Sequence, residues 1–344
     1  MKALVLKAYN QFVYEDLPDP EPGDHEVLVR VKACGICGSD IHGMDGSTGR
    51  RRPPIVMGHE ASGMIAGIGK NVRGWRGGER ITFDSTVYCG ACWYCRRGEI
   101  NLCDRRRVLG VSCDEYRQHG AFAEYVVVPQ HILCRLPDAV TFEQAAMVEA
   151  LSIALHAVER TPLHLNDSAV VVGTGMIGLL LVQVLRAAGC GRIVALDLDE
   201  ERLQLAAKLG ADSIFRADHA DLPGAVLQLL DGRGADVAFE VVGVNPSLQI
   251  AVACLRKGGC LTLVGNLSLK VDLPLQAVVT RQISLIGSCA SAGEYPACLD
   301  FLARGKINVD PLISATPPLS KGNSWFQRLY QKEKGLLKVI LKFQ

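Results

Sequence analysis

The chain has 344 residues, 49% hydrophobic and 21% charged, with a formal net charge of +1. That length suggests two domains, and that composition a sizeable soluble core. A near-neutral chain has no general attraction to nucleic acid or an anionic membrane surface, and no stretch is apolar for long enough to span a bilayer. The opening run Met1-Lys-Ala-Leu-Val-Leu-Lys reads as a strand and is too short for a secretory signal, so a cytoplasmic protein is expected. The thirteen cysteines then need a task other than a disulfide framework.

Residues 1–70 read as strands broken by turns. Glu26-Val-Leu-Val-Arg-Val-Lys is a strand with one polar face, followed at once by Ala33-Cys34-Gly35-Ile36-Cys37-Gly38-Ser39-Asp40-Ile41-His42. Pro53-Pro54-Ile-Val-Met-Gly58-His59-Glu60 then leads into a strand from Ala61 to Ile68. Strand, loop and strand with frequent glycine argue for a small β-rich, barrel-like unit. Cys37, His59 and a carboxylate offer the mixed S/N/O donors that suit zinc, and a catalytic zinc takes three protein ligands with a fourth position open. Glu60 and Glu149 are both candidates for the third ligand. Taken singly, a cysteine or histidine is more often a packed core residue than a ligand, and Cys34 is assigned that structural role. Two basic runs, Arg50-Arg51-Arg52 and Arg105-Arg106-Arg107, read as solvated loop charge in preference to a phosphate grip.

Between Ile81 and Gly110 the pattern changes. Cys89-x-x-Cys92-x-x-Cys95, then seven residues, then Cys103, supplies four thiols. Such spacing wraps a tetrahedral metal with no open position, which predicts a structural zinc holding a lobe over residues 84–110. An iron–sulfur cluster uses the same donors but ranks below zinc, because a hydride carrier is already encoded further on. The remaining cysteines, including Cys113 and Cys134, default to packing. Gly120 to Pro129 returns to strand character. Thr141 is an N-cap for a helix running to Glu149, and Ser152 to Glu159 continues as helix. Glu149 would therefore lie at a domain junction, where a cleft is expected.

Ala169-Val-Val-Val-Gly173-Thr-Gly175-Met-Ile-Gly178 is a β-branched run ending in a glycine turn that opens an apolar helix. A second strand, Arg192 to Asp197, closes the unit. In that context Gly173 permits the tight turn, Gly175 lets backbone approach a pyrophosphate, and Gly178 lets helix and strand pack closely. The helix N-terminus offers free N–H groups to the phosphates. Asp197 is placed to accept from both hydroxyls of an adenine ribose and to repel a 2′-phosphate, which favours NAD over NADP. Helix and strand then alternate as far as Ile283–Gly287, with Pro246 to Arg256 reading as a helix ended by Lys257-Gly258-Gly259, which predicts a doubly wound parallel sheet. From Ser288 the alternation stops, and a helix at Tyr295 to Ala303, a Pro-rich loop, a helix at Ser324 to Gln331 and a strand at Leu336 to Lys342 would rejoin the first domain. The expected domains are residues 1–152 with 289–344, and residues 153–288.

Together the segment Gly35-Ile-Cys37-Gly-Ser39-Asp-Ile-His42, Gly58-His59-Glu60, the four-cysteine lobe and the glycine turn with Asp197 resemble the zinc-dependent medium-chain alcohol dehydrogenase family, along nearly the whole chain. Among its branches the chain is most similar to polyol dehydrogenases of the sorbitol, iditol and galactitol type, since ethanol-type relatives place a cysteine ligand where Glu149 falls. The resemblance implies an α/β fold with a Rossmann NAD-binding domain and a chaperonin-10-like catalytic domain, and one catalytic and one structural zinc per chain. It implies a catalytic zinc held at Cys37, His59 and Glu60 with water, and Glu149 on or near the metal. The family's Glu-Pro-Leu-Ser has Ala150 in place of proline here. Ser39 matches the hydroxyl that takes the alcohol proton, and His42 the group that passes it to solvent through the cofactor ribose. Met176, Ile177 and Arg202 join Gly173, Gly175, Gly178 and Asp197 as cofactor-binding residues. The implied assembly is a homotetramer or homodimer, and the implied substrate a small-molecule polyol. L-threonine, butanediol and sugar-alcohol phosphates stay open as alternatives. A non-catalytic NAD-binding protein with structural zinc only is the alternative from another class.

Overall fold

The computed structural model describes residues 1–113 and 116–343. They fall into two units, one comprising Met1–Glu149, Tyr295–Arg304 and Val309–Gln344, the other Ala150–Glu294 and Gly305–Asn308.

The strand Glu26–Gly35 organises the first unit. Val27, Val29, Val31 and Ala33 are fully buried on one face, as the alternation of its residues predicts. It pairs antiparallel with Glu60–Ile68, with Tyr125–Pro129 and with Lys338–Lys342. The register sets Gly35 opposite both Glu60 and Ile340. The loop that leaves Gly35 is therefore delivered beside His59, Glu60 and Lys338, although these lie far apart in the chain. Val27, Val29, Ile81, Phe83, Phe122 and Phe326 are among the core residues beneath the sheet. Of the stretch expected as strand from Gly120, only Tyr125–Pro129 enters the ladder. Gly120, Ala121 and Phe122 instead donate N–H groups to the carbonyls of Val56, Gly58 and Met57, which fixes the approach to His59. Thr141 caps a helix with a reciprocal bond from Gln144, but that helix is only Phe142–Ala145. A second helix, Val148–Arg160, starts afresh and holds Glu149 in its first turn.

The second unit carries a six-stranded parallel sheet. Its strands lie in the spatial order Ser213–Arg216, Arg192–Asp197, Ser168–Val172, Ala235–Glu240, Leu255–Leu263, Ser284–Gly287. The order reverses at Ser168–Val172, as in the doubly wound fold that the resemblance implied, and the glycine turn leaves the carboxyl end of that strand. Ala169 to Val172 are buried, as a strand covered on both faces must be. One expectation needs correction. The helix expected to run from Pro246 to Arg256 and stop at Lys257-Gly258-Gly259 is Asn245–Cys254, and a strand begins at Leu255. Leu255 pairs with Ala235, and the Arg256 guanidinium meets Asp236 at 2.6 Å, so a tertiary partner draws these residues out of the helix. Among the described residues no helix is long and apolar enough to cross a membrane.

Candidate metal centres and cofactor-binding turn

Cys37 stands just beyond the central strand and caps the single-turn helix Gly38–Ile41. Its N–H donates to the Asp40 carboxylate at 3.2 Å, and the Ser39 hydroxyl meets its Sγ at 3.3 Å. One donor atom from each of Cys37, His59 and Glu60 lies within 4.8 Å of the others. His59 and Glu60 are buried, and Cys37 is partly so. His59 Nδ1 faces Asp40 Oδ1 at 3.5 Å and lacks a hydrogen-bond partner. The Asp40 carboxylate is placed to orient the ring through Nδ1, which would leave Nε2 to a metal. Burial pulls the His59 pKa down, but the charges of Asp40 and Cys37 outweigh it and raise it well above the ordinary value. The pocket thus favours positive charge where a metal would place it. A thiolate, an imidazole and a carboxylate are donors that zinc takes, so the residues fit the ion.

Glu60 is held from the other side. Lys338 Nζ lies 2.7 and 2.6 Å from its two oxygens and 3.3 Å from the Ile36 carbonyl. Burial opposes the ammonium, yet the Glu60 charge, followed by that of Cys37, raises the Lys338 pKa above its usual value. Glu149 does not belong to the close three-residue group. Burial raises its carboxyl to about 7, with His59 opposing and Glu60 adding to the rise. Ser39 and His42 are exposed, and His42 closes the short helix with its N–H bonded to the Gly38 and Asp40 carbonyls.

The thiol sulfurs of Cys89, Cys92, Cys95 and Cys103 lie within 4.8 Å of one another. The N–H groups of Ala91 and Cys92 point at Cys89 Sγ, at 3.5 and 3.4 Å, and those of Cys89 and Arg105 at Cys103 Sγ, both at 3.3 Å. The Ala91 and Cys92 N–H groups pull the Cys89 thiol down to about 6. Desolvation and the neighbouring Cys92 and Cys103 push Cys95 up to about 12. Between Tyr88 and Arg106 only Asn101 and Cys103 are buried. The lobe has no apolar core of its own, and a tetrahedral ion suits its four sulfurs.

In the second unit Gly173 sits at φ +99°, where a Cβ would also meet Val242 Cγ2 at 2.6 Å. A Cβ on Gly178 would run into the Gly173 carbonyl oxygen, backbone that no rotamer change can move. Gly178→Ala should therefore push helix Met176–Ala187 off its strand, at a cost of about 1–3 kcal/mol. A lowered melting temperature and weakened cofactor binding would show it. Gly175 caps this helix without a side-chain bond, and space around it is open, so the first N–H groups remain for a ligand. Met176 and Ile177 form the first turn of that helix. Asp197 ends its strand and accepts from the N–H of Thr174 at 2.6 Å and of Asp199 at 2.9 Å. Arg202 lies one turn on, with its N–H on the Asp199 cap and its guanidinium 3.7 Å from that carboxylate.

Two family models match the chain, the alcohol dehydrogenase GroES-like domain over residues 23–138 and the zinc-binding dehydrogenase over residues 177–304. The chain belongs to the zinc-binding alcohol dehydrogenase family. It is 35% identical to D-arabitol-phosphate dehydrogenase from Enterococcus avium, over 97% of this chain and 94% of that protein. It is 33% identical to sorbitol dehydrogenase from Bacillus subtilis, over 99% and 97%. The crystal structure of galactitol-1-phosphate dehydrogenase from Escherichia coli superposes with a TM-score of 0.93 at 26% identity, over 100% of both chains.

Within this zinc-binding dehydrogenase three residues beside the candidate centre escaped sequence reasoning. Asp40 could have been found, because its spacing from Cys37 is that of a reciprocal helix cap. Lys338 carried no local signal, since only the pairing of its strand with the central one brings it inward. Arg51 overturns an expectation. The run of three arginines read as solvated, and Arg50 and Arg52 are exposed, but Arg51 is 2% exposed. Its Nη2 lies 2.8 Å from Asp40 Oδ1 and 3.2 Å from Ser39 Oγ. A run of like charges cannot reveal that one member folds under its neighbours to pair with a buried acid. Burial favours protonated Asp40, yet His59 and then Arg51 outweigh it and hold its carboxyl well below the usual range.

Proposed function

We propose that this enzyme oxidises a secondary hydroxyl of a polyol to the ketose, with NAD as hydride acceptor. The observation that carries the reading is the gathering of Cys37, His59 and Glu60 within 4.8 Å, with the Ser39 hydroxyl 3.3 Å from the Cys37 sulfur. The relatives named for sorbitol and arabitol phosphate support the substrate class. Cys37, His59 and Glu60 would hold the catalytic zinc, with Glu149 close by as a further carboxylate, and Cys89, Cys92, Cys95 and Cys103 a structural one. Bound zinc makes an alcohol hydroxyl more acidic, as it does water. Ser39 receives the alcohol proton, and exposed His42 passes it to solvent. The turn Gly173–Gly178 cradles the pyrophosphate, Asp197 accepts from the adenine ribose, and Arg202 flanks it. A spectrophotometric screen of NAD reduction across polyols, diols, threonine and polyol phosphates tests the reading. No NADH with any of them would defeat it. The non-catalytic alternative predicts one metal per chain, and the assembled three-donor group counts against it.

A phosphorylated polyol is the second reading, favoured by the arabitol-phosphate and galactitol-1-phosphate relatives and by Arg50, exposed next in sequence to Arg51. Activity confined to the phosphorylated members of the screen would select it. The NAD preference has its own test. Asp197→Ser removes the charge that repels a 2′-phosphate, so the ratio of kcat/KM for NAD over NADP should fall by about tenfold or more, the worth of 1.4 kcal/mol. An unchanged ratio would remove Asp197 from that role.

A cytoplasmic homodimer or homotetramer completes the proposal. Strand Ser284–Gly287 lies at the edge of the parallel sheet, with Leu285, Leu275 and Val279 exposed. An unpaired edge with apolar side chains is a surface that proteins normally cover. Leu285→Asp with Val279→Asp should shift the mass measured by light scattering to that of a monomer.

A further inference from the structure

We propose that Arg51 is a positioning residue for alcohol oxidation, its guanidinium fixing the direction in which the Ser39 hydroxyl receives and releases a proton. The inference rests on the proposed role of Ser39. Arg51 comes from the loop before Gly58, and its side chain passes over Gly43. A Cβ there would meet Arg51 Cγ at 2.5 Å and the Ser39 carbonyl oxygen at 2.9 Å, so only glycine leaves the lane open. The guanidinium ends against Asp40 Oδ1 at 2.8 Å and Ser39 Oγ at 3.2 Å. Asp40 is the ionic partner of the buried guanidinium. The contact with Ser39 is additional, and it reaches a hydroxyl that lies against the Cys37 sulfur.

A serine hydroxyl has one proton and two lone pairs. The guanidinium occupies one lone pair, has no lone pair to offer in return and stays charged. Ser39 keeps a single lone pair and a single proton, hence one entry and one exit. During oxidation the alcohol O–H breaks as a new O–H forms on Ser39 Oγ. The proton that Ser39 held, donated at rest to the Cys37 sulfur at 3.3 Å, leaves that contact for the cofactor ribose and His42, and the hydride carries its electron pair from carbon to NAD. Arg51 neither gains nor loses a proton. Both contacts come from Nη2, whose two N–H bonds are fixed in the guanidinium plane, whereas a lysine ammonium would turn freely on its stem and hold neither direction.

A double-mutant cycle tests this, with kcat expressed per bound zinc. Arg51→Met should lower kcat by about tenfold or more, within the range general acid–base groups contribute, and leave KM within about threefold. Ser39→Ala should lose at least as much. Ser39→Ala with Arg51→Met should lose no more than Ser39→Ala alone, because the two act as a unit. Arg51→Lys keeps a cation on Asp40, and should fold and show the same non-additivity should the methionine variant fail to fold. The visible absorption of the cobalt-substituted protein gives a readout apart from turnover, and should be the same in Arg51→Met and the parent. A parent-like kcat in the Arg51 variants, losses that multiply in the double variant, or a changed cobalt band would each overturn the inference while an active parent leaves the functional reading standing. A parent enzyme inactive on every alcohol would defeat the functional reading and this role with it.

Discussion

Replacing His59 with alanine is expected to lower NAD reduction by about 10³-fold or more, because a Lewis acid supplies several kcal/mol of barrier reduction and each 1.36 kcal/mol is tenfold in rate. The imidazole is one of three donors within 4.8 Å, so its loss leaves a thiol and a carboxylate. Glu60 is already one of the two donors that remain, so it cannot make up the difference. Asp40 loses the ring it orients but keeps Arg51 at 2.8 Å, so no buried charge is left unpaired. The sheet register between Gly35 and Glu60 is backbone pairing and should survive, so the variant is expected to fold. Cys37→Ser should behave in the same way, since a serine hydroxyl stays protonated near neutral pH and is a poor zinc donor. Steady-state rates, zinc content and a thermal melt on each variant check the prediction. Full activity in either would remove the metal assignment, and a lost melting transition would show that the residue holds the fold instead.

The second large effect concerns the lobe. Cys92→Ser should lose the zinc proposed for this lobe and unravel the segment around Tyr88 to Arg106, where only Asn101 and Cys103 are buried. Structural zinc in peptides of this kind contributes roughly 10–16 kcal/mol of apparent binding energy, far more than so small a segment can gain by burial. Trypsin cleavage at Arg96 and Arg97, slow in the parent, should become fast. Acid should have a similar effect. Without the ion the Cys89 thiol is pulled down to about 6, so its charge is present at higher pH, and protons compete with the ion as pH falls through and below that value. Lobe cleavage should accelerate there and slow again when zinc and neutral pH are restored. Parent-like cleavage of Cys92→Ser at neutral pH would mean that the lobe stands without metal.

The turn Gly173–Gly178, the four-cysteine lobe and the strand–helix alternation behind the doubly wound sheet were legible in the sequence, because each depends on spacing within a short stretch. A glycine at φ +99° declares a turn that other residues would strain, and thiols three residues apart declare a common focus. Cys37, His59 and Glu60 were legible as residue types, but their meeting depends on Gly35 pairing with Glu60 across the sheet. Arg51, Asp40 and Lys338 show the limit. The same arginine is loop charge or a buried clamp according to what packs over it, and the lysine becomes the partner of Glu60 only because a strand 278 residues away lies beside the central one. Local backbone and ligand chemistry are short-ranged and are written residue by residue. Desolvation and charge pairing depend on the whole surrounding packing, and only the folded chain supplies that.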